Sequence, residues 1–205
     1  AGVARRRAPP QKRQAERSHI QLGPSVGRLT ISLRKCQCLS VASRSMSDQR
    51  QAVVVRRAEH ADVDGFVACS SALFAEDAGT RDPSINLDWP RQHGHRRFTT
   101  GMDDPNRLLL VADCDGEVVG HLVGALGDAS AMKPVRVATL VSMYVRPAFR
   151  RSRVGGRLVA EFIGWAKGAG AETAEVTAYA SNTEAIRFYE RNGFAPQSMT
   201  LRMSL

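Results

Sequence analysis

Between Arg107 and Val145 the chain carries three strand patterns in succession, and this run decides which folds are open to it. Arg107–Ala112 is the first, Val118–Leu126 the second and Val135–Val145 the third. Each is a short run rich in Val, Leu and Ala, the signature of sheet strands. Asp115-Gly116 separates the first two and reads as a tight hairpin, because both residues tolerate the positive φ that such a turn requires. Pro147 ends the run, since proline brings no N–H to a ladder.

The flanking patterns complete an α/β order. Val53–Arg56 reads as a first strand. His60–Asp77 repeats Val63, Phe66, Val67, Leu73 and Phe74 near helical spacing; Gly79 and Pro83 are expected to break it and leave 78–89 as a loop. Pro90–Thr100 reads as a second helix with proline in its first turn. Beyond the three strands, Val154–Lys167 places Leu158, Val159, Phe162, Ile163 and Ala166 on one face and stops at Gly168 and Gly170. Glu175–Tyr179 is a further strand. Ser181–Arg191 is a helix capped by Ser181 or Asn182 and closed by Gly193. Phe194–Met203 is expected to be a last strand. The order β-α-α-β-β-β-α-β-α-β describes one mixed α/β domain without internal repeats.

Charge sets a leader apart from this domain. Residues 1–45 hold ten of the 29 Lys and Arg residues and one acid, Glu16, so the whole net charge of +9 lies there. Residues 46–205 carry 19 charges of each sign, and no nucleic-acid partner is expected for them. The leader, rich in Arg, Ser, Gln and Pro, is expected to be disordered, because it cannot bury enough apolar surface to offset its ordering entropy. Its composition fits a nucleic-acid arm or a transit peptide. The reading adopted is that it is no part of the functional protein, since Met46-Ser47-Asp48-Gln49 resembles a natural start. The domains are then 1–45 and 46–205.

Cys36 and Cys38 are one residue apart, the wrong spacing for a zinc knuckle, and no second pair follows. Cys69 and Cys114 lie in apolar stretches and read as buried thiols. No disulfide framework or metal site is expected, and a reducing, cytoplasmic setting is. No stretch approaches the ~20 apolar residues of a membrane span, so no membrane contact is expected.

Residues 143–158, MYVRPAFRRSRVGGRL, join a strand to a helix through a basic loop. The first turn of a helix has unpaired N–H groups and the positive end of the dipole. Gly155 and Gly156 let an anion approach the backbone, and Arg150, Arg151, Arg153 and Arg157 add charge. The alternative is an ordinary helix start with solvated arginines, and no Gly-Lys-Ser/Thr follows to make a Walker loop.

A second element, Asn182–Phe194, reads NTEAIRFYERNGF. Together the two strongly resemble the GNAT superfamily of N-acetyltransferases, over about residues 52–205 and most specifically over 140–195. The family's loop has the form R/Q-x-x-G-x-G/A; here Arg150 and Gly155 match, and Arg153 stands where the middle glycine belongs. We expect that position not to need a positive φ, so that its N–H still serves and its side chain adds charge. The later family element, N-x-x-A-x-x-F-Y-x-x-x-G-F, is filled by Asn182, Ala185, Phe188, Tyr189, Gly193 and Phe194.

The resemblance implies a mixed, mostly antiparallel central sheet flanked by helices, acetyl-CoA as co-substrate without a metal, and a small-molecule amine as acceptor. Backbone groups of Met143, Tyr144 and Val145 would pair with the pantetheine arm and polarise the thioester. The N–H groups of Arg151, Ser152, Arg153, Val154, Gly155 and Gly156 would bind the pyrophosphate, with Arg150 and Arg157 adding charge. Asn182 would contact the cofactor through its side chain, and Tyr189 would protonate the leaving thiolate. Relatives often carry Glu on the strand before the loop, but VATLVSMYV has no carboxylate. Glu76 and Asp77 are candidates for amine recognition or for a base acting through water. The reading adopted is a solvated helix end, with water as the base and direct transfer to the amine. His93 and His95 read as exposed. A non-catalytic acyl-CoA sensor and a protein or peptide N-acetyltransferase are the alternatives. A homodimer fits the family, though the sequence does not show one.

Overall fold

The structure, a computed structural model, describes residues 52–203; the leader, Cys36, Cys38 and the Met46 start lie outside the described residues. Five strands form one sheet in the order β1-β2-β3-β4-β5. They are β1 (Val53–Arg57), β2 (Arg107–Cys114), β3 (Glu117–Gly127), β4 (Val137–Val145) and β5 (Thr173–Val176). The first four pair antiparallel in sequence and β5 joins β4 in parallel. Asp115 and Gly116 make the β2–β3 turn with φ of 53° and 86°, the conformation expected of them.

Alternation along the strands feeds two cores. On one face α1 (Val63–Leu73) and α3 (Trp89–Met102) cover Leu109, Val111, Val118 and Tyr144 with Phe66, Cys69 and Phe98. On the other, α4 (Val154–Gly168) presses Leu158, Val159, Phe162 and Ala166 onto Leu108, Leu110, Val119, Leu122, Ala138 and Leu140. Cys114 also lies in this second core. At the edge, Arg56 ties β1 to the turn before α1 and to β2, donating to Asp62 at 2.6 and 2.8 Å and to Asp113 at 2.6 Å.

Three expected boundaries differ. The first helix does not break at Gly79. It widens into a π-turn (Phe74–Ala78) and runs on through one more turn, α2 (Gly79–Arg81). Gly79 takes an ordinary helical φ of −66°, and the stop comes at Asp82 (φ −137°), which Pro83 forces out of the helical region. β5 lies two residues earlier than expected, at Thr173–Val176. After α5 (Thr183–Arg191) no strand forms over Phe194–Met203. Pro196 has no N–H to give a ladder, and Arg202 is drawn to Asp82 at 2.8 Å, anchoring the segment beyond α2. Met199, Leu201 and Met203 remain 77%, 87% and 78% exposed.

Candidate active site

β4 pairs with β3 along its length, but with β5 only over Val137–Leu140. The register with β3 slips between Leu140 and Ser142, leaving Val141 as a bulge that is 50% exposed. The extra residue flips the strand's faces. Ala138 and Leu140 pack toward α4, and so do Met143 and Val145 three residues on, rather than the two that unbroken alternation would give. Ser142 and Tyr144 therefore face the α1 side. Beyond the bulge β4 has no ladder partner on the β5 side among the described residues, so its backbone forms one wall of an open slot.

The basic loop closes the end of this slot. After the short turn Pro147–Phe149 the chain passes through Arg151 (φ 63°) and Arg153 (φ 67°) into α4. The expectation for Arg153 is thereby corrected: its position does take the left-handed conformation for which the family keeps glycine. A side chain there costs roughly 1–2 kcal/mol, partly offset by the entropy glycine would bring to the unfolded chain. Arg153→Gly is expected to stabilise the protein by roughly 0.5–1 kcal/mol, read from its urea midpoint.

The two glycines of the first turn of α4 differ. A Cβ on Gly155 would lie 3.3 Å from the Phe188 ring, so this glycine serves the packing of α4 on α5. A Cβ on Gly156 would meet no atom nearer than Asn192 Oδ1 at 3.9 Å, which leaves room for a ligand. Arg151, Ser152 and Arg153 are exposed. Arg157 donates to the Val53 carbonyl at 2.6 Å and so lies against β1. Arg150 donates through Nε to the Val145 carbonyl at 2.8 Å and fastens the loop to the end of β4.

Two carboxylates expected to be a solvated helix end are instead engaged, because the wide π-turn brings both to the slot. Glu76 binds Arg150 at 2.6 and 2.8 Å and accepts the Tyr144 hydroxyl at 3.2 Å. Arg150 also stacks over the Tyr144 ring at 5.3 Å. The Arg150 guanidinium, chiefly, holds the Glu76 carboxyl below its usual range. Asp77 accepts from Asn182 Nδ2 at 2.7 Å and pairs with Arg81 at 2.9 Å. Asn182 Oδ1 accepts the Ala185 N–H at 3.1 Å, capping α5, so its amide is used at both ends. Tyr189 sits edge-on between Phe188 and Phe194, at 5.3 and 5.8 Å. Burial, and then the charge of Asp77, push its phenol up to about 12.

His121, which no sequence pattern singles out, is fully buried on β3 beside this wall. Its Nε2 lies 3.3 Å from Ser142 Oγ, its ring 4.6 Å from Phe66, and Nδ1 has no partner among the described residues. Burial pushes its pKa down to about 4. His93 and His95 stay on α3, beside Trp89 at 5.6 Å and Asp64 at 2.9 Å. Phe74, Ile85, Asn86 and Trp89 line an apolar pocket that no slot residue enters. Among the described residues no cluster of His, Cys, Asp and Glu could hold a metal, and no helix is long and apolar enough to cross a membrane.

A family model described as acetyltransferase (GNAT) family matches residues 74–194. The spore coat polysaccharide biosynthesis protein SpsD of Bacillus subtilis (strain 168) is 24% identical over 139 residues, a match spanning 68% of this chain and 46% of that protein. The chain thus spans about half the length of this curated relative. Among solved structures, a transcriptional regulator from Bacillus halodurans C-125 is 26% identical with a TM-score of 0.60, over 75% of this chain and 100% of that one. An aminoglycoside N-acetyltransferase in complex with CoA shares the fold at 14% identity and a TM-score of 0.59, over 74% of this chain and 98% of its own.

Proposed function

This chain belongs to the acetyltransferase (GNAT) family, and on that premise we propose that residues 46–205 move an acetyl group from acetyl-CoA to a primary amine of a small molecule in one direct step. The observation that carries the reading is that, among the described residues, the β5-side edge of β4 beyond Val141 has no ladder partner, in a strand whose end leads through the basic loop to the first turn of α4. A pantetheine arm is an extended amide chain, and Met143 and Val145 would receive it as an added strand. The N–H groups from Arg151 to Gly156 and the positive end of α4 suit the pyrophosphate, for which the space at Gly156 leaves room. A small acceptor is in keeping with the name of the aminoglycoside-modifying neighbour.

In this reading a backbone N–H near Met143 or Tyr144 polarises the thioester carbonyl. Tyr189 protonates the departing thiolate, and a phenol raised to about 12 keeps that proton at any working pH. The test is thiol release from acetyl-CoA with a panel holding a polyamine, an amino acid and an aminoglycoside. Intersecting double-reciprocal lines are expected; parallel lines would mean an acetylated enzyme and rule out direct transfer. Tyr189→Phe is expected to lower kcat about 100-fold while acetyl-CoA affinity holds. An unchanged kcat would remove Tyr189 from the role.

A further inference from the structure

Resting on that reading, we infer that Glu76 is the carboxylate that takes the acceptor amine's proton, and that Arg150 withholds it until acetyl-CoA is bound. Three observations converge on it. The π-turn aims Glu76 at the end of β4, where its Oε2 accepts from Tyr144, the residue between the two whose backbone lines the slot. The adjacent carboxylate, Asp77, is committed to Asn182 and Arg81. The ion partner of Glu76, Arg150, belongs to the loop that receives the pyrophosphate, so one guanidinium lies between the two sites.

The coupling follows from charge. A pyrophosphate carries more negative charge than one carboxylate and lies on Arg150's own loop, so it draws the guanidinium away. Glu76 then loses the partner that chiefly depresses its pKa and keeps the Tyr144 hydroxyl, which holds its orientation. The charged or titratable groups facing it are Arg150 from the loop, Tyr144 from β4 and Arg81 from α2. An ammonium brought beside Glu76 gives it one proton, which passes on to water. The neutral amine attacks the thioester carbonyl, the C–N bond forms and the C–S bond breaks. The second nitrogen proton balances the one that Tyr189 gives to the thiolate, leaving an amide, a thiol and one released proton.

The experiment compares the full chain with Glu76→Gln and Glu76→Asp, using calorimetric titration of acetyl-CoA and thiol release with the fastest amine of the panel. Glu76→Gln frees Arg150, so acetyl-CoA should bind about threefold more tightly, the size of a half-exposed ion pair. Its kcat should fall about 100-fold and climb about tenfold per pH unit, where the parent reaches a plateau. Glu76→Asp should restore the plateau at reduced height. A merely structural Glu76 would move neither the plateau nor the affinity in this direction. Parent-like kcat with a plateau in Glu76→Gln, or weaker acetyl-CoA binding, overturns the assignment. A parent that neither binds acetyl-CoA nor accepts any amine of the panel overturns the transferase reading itself, and this inference with it.

Discussion

Gly156→Glu is expected to fold like the parent and to bind acetyl-CoA about 100-fold more weakly. The site has room for the side chain, since the nearest atom to a Cβ there is Asn192 Oδ1 at 3.9 Å. Glutamate is a better helix former than glycine, and a carboxylate in the first turn of a helix is favoured by the dipole. The same attraction makes it an inhibitor: it sits where the pyrophosphate would, repels it and occupies its N–H donors. A loss of about 2.7 kcal/mol, the 100-fold, is the scale of losing charge-assisted hydrogen bonds of this kind. Gly155→Glu, the more obvious choice from sequence, is the poorer test. Its Cβ would press on Phe188 and part α4 from α5, so lost binding would be confounded with lost packing. Calorimetry with acetyl-CoA, beside a thermal melt, decides it; parent-like affinity in a well-folded Gly156→Glu would move the cofactor away from α4.

The second large effect concerns stability. His121 is neutral when folded, with a pKa of about 4, whereas an unfolded histidine titrates near 6.5. Below pH 6.5 the unfolded chain therefore gains a proton that the folded one refuses. Stability is complete above that pH, falls as pH drops toward 4, and levels off below. The loss over the window is about 3 kcal/mol, because each pH unit between the two values is worth roughly 1.4 kcal/mol. Carboxylates with lowered pKa, Asp62, Glu76 and Asp82, add their losses at lower pH. Urea midpoints between pH 7 and 4.5 should slope in the parent and flatten in His121→Leu, which should be the more stable of the two at pH 4.5. A flat parent would mean that the imidazole finds a partner for Nδ1 when it charges.

Elements with unbroken periodicity are legible directly: β2, β3 and their turn, α3, α4 and α5 lie where the patterns place them. The departures have local causes. Propensity makes Gly79 a breaker, but its neighbours hold it in an ordinary helical conformation and the stop belongs to Pro83. The alternation of Met199, Leu201 and Met203 reads as a strand, yet Pro196 and the Arg202–Asp82 pair keep it from the sheet. At the site, family resemblance is what marks the loop, Asn182 and Tyr189 as candidates. The partners of Glu76 and Asp77 are not legible, since they depend on a π-turn whose extra residue leaves no mark in an apolar pattern. The bulge does leave one: apolar positions at Ala138 and Leu140 resume at Met143, one step out of phase.

That phase step makes Val141 a residue that β4 could lose without exchanging its faces. Substitution at Val141 changes a half-exposed side chain and leaves the two faces where they are. Deleting it would remove the bulge and still leave Met143 and Val145 toward α4 and Ser142 and Tyr144 toward α1, because Ser142 would then follow Leu140 in unbroken alternation. The strand can therefore differ in length by this one residue between relatives, and an alignment gap placed opposite Val141 keeps every residue from Ser142 to Val145 on its own face.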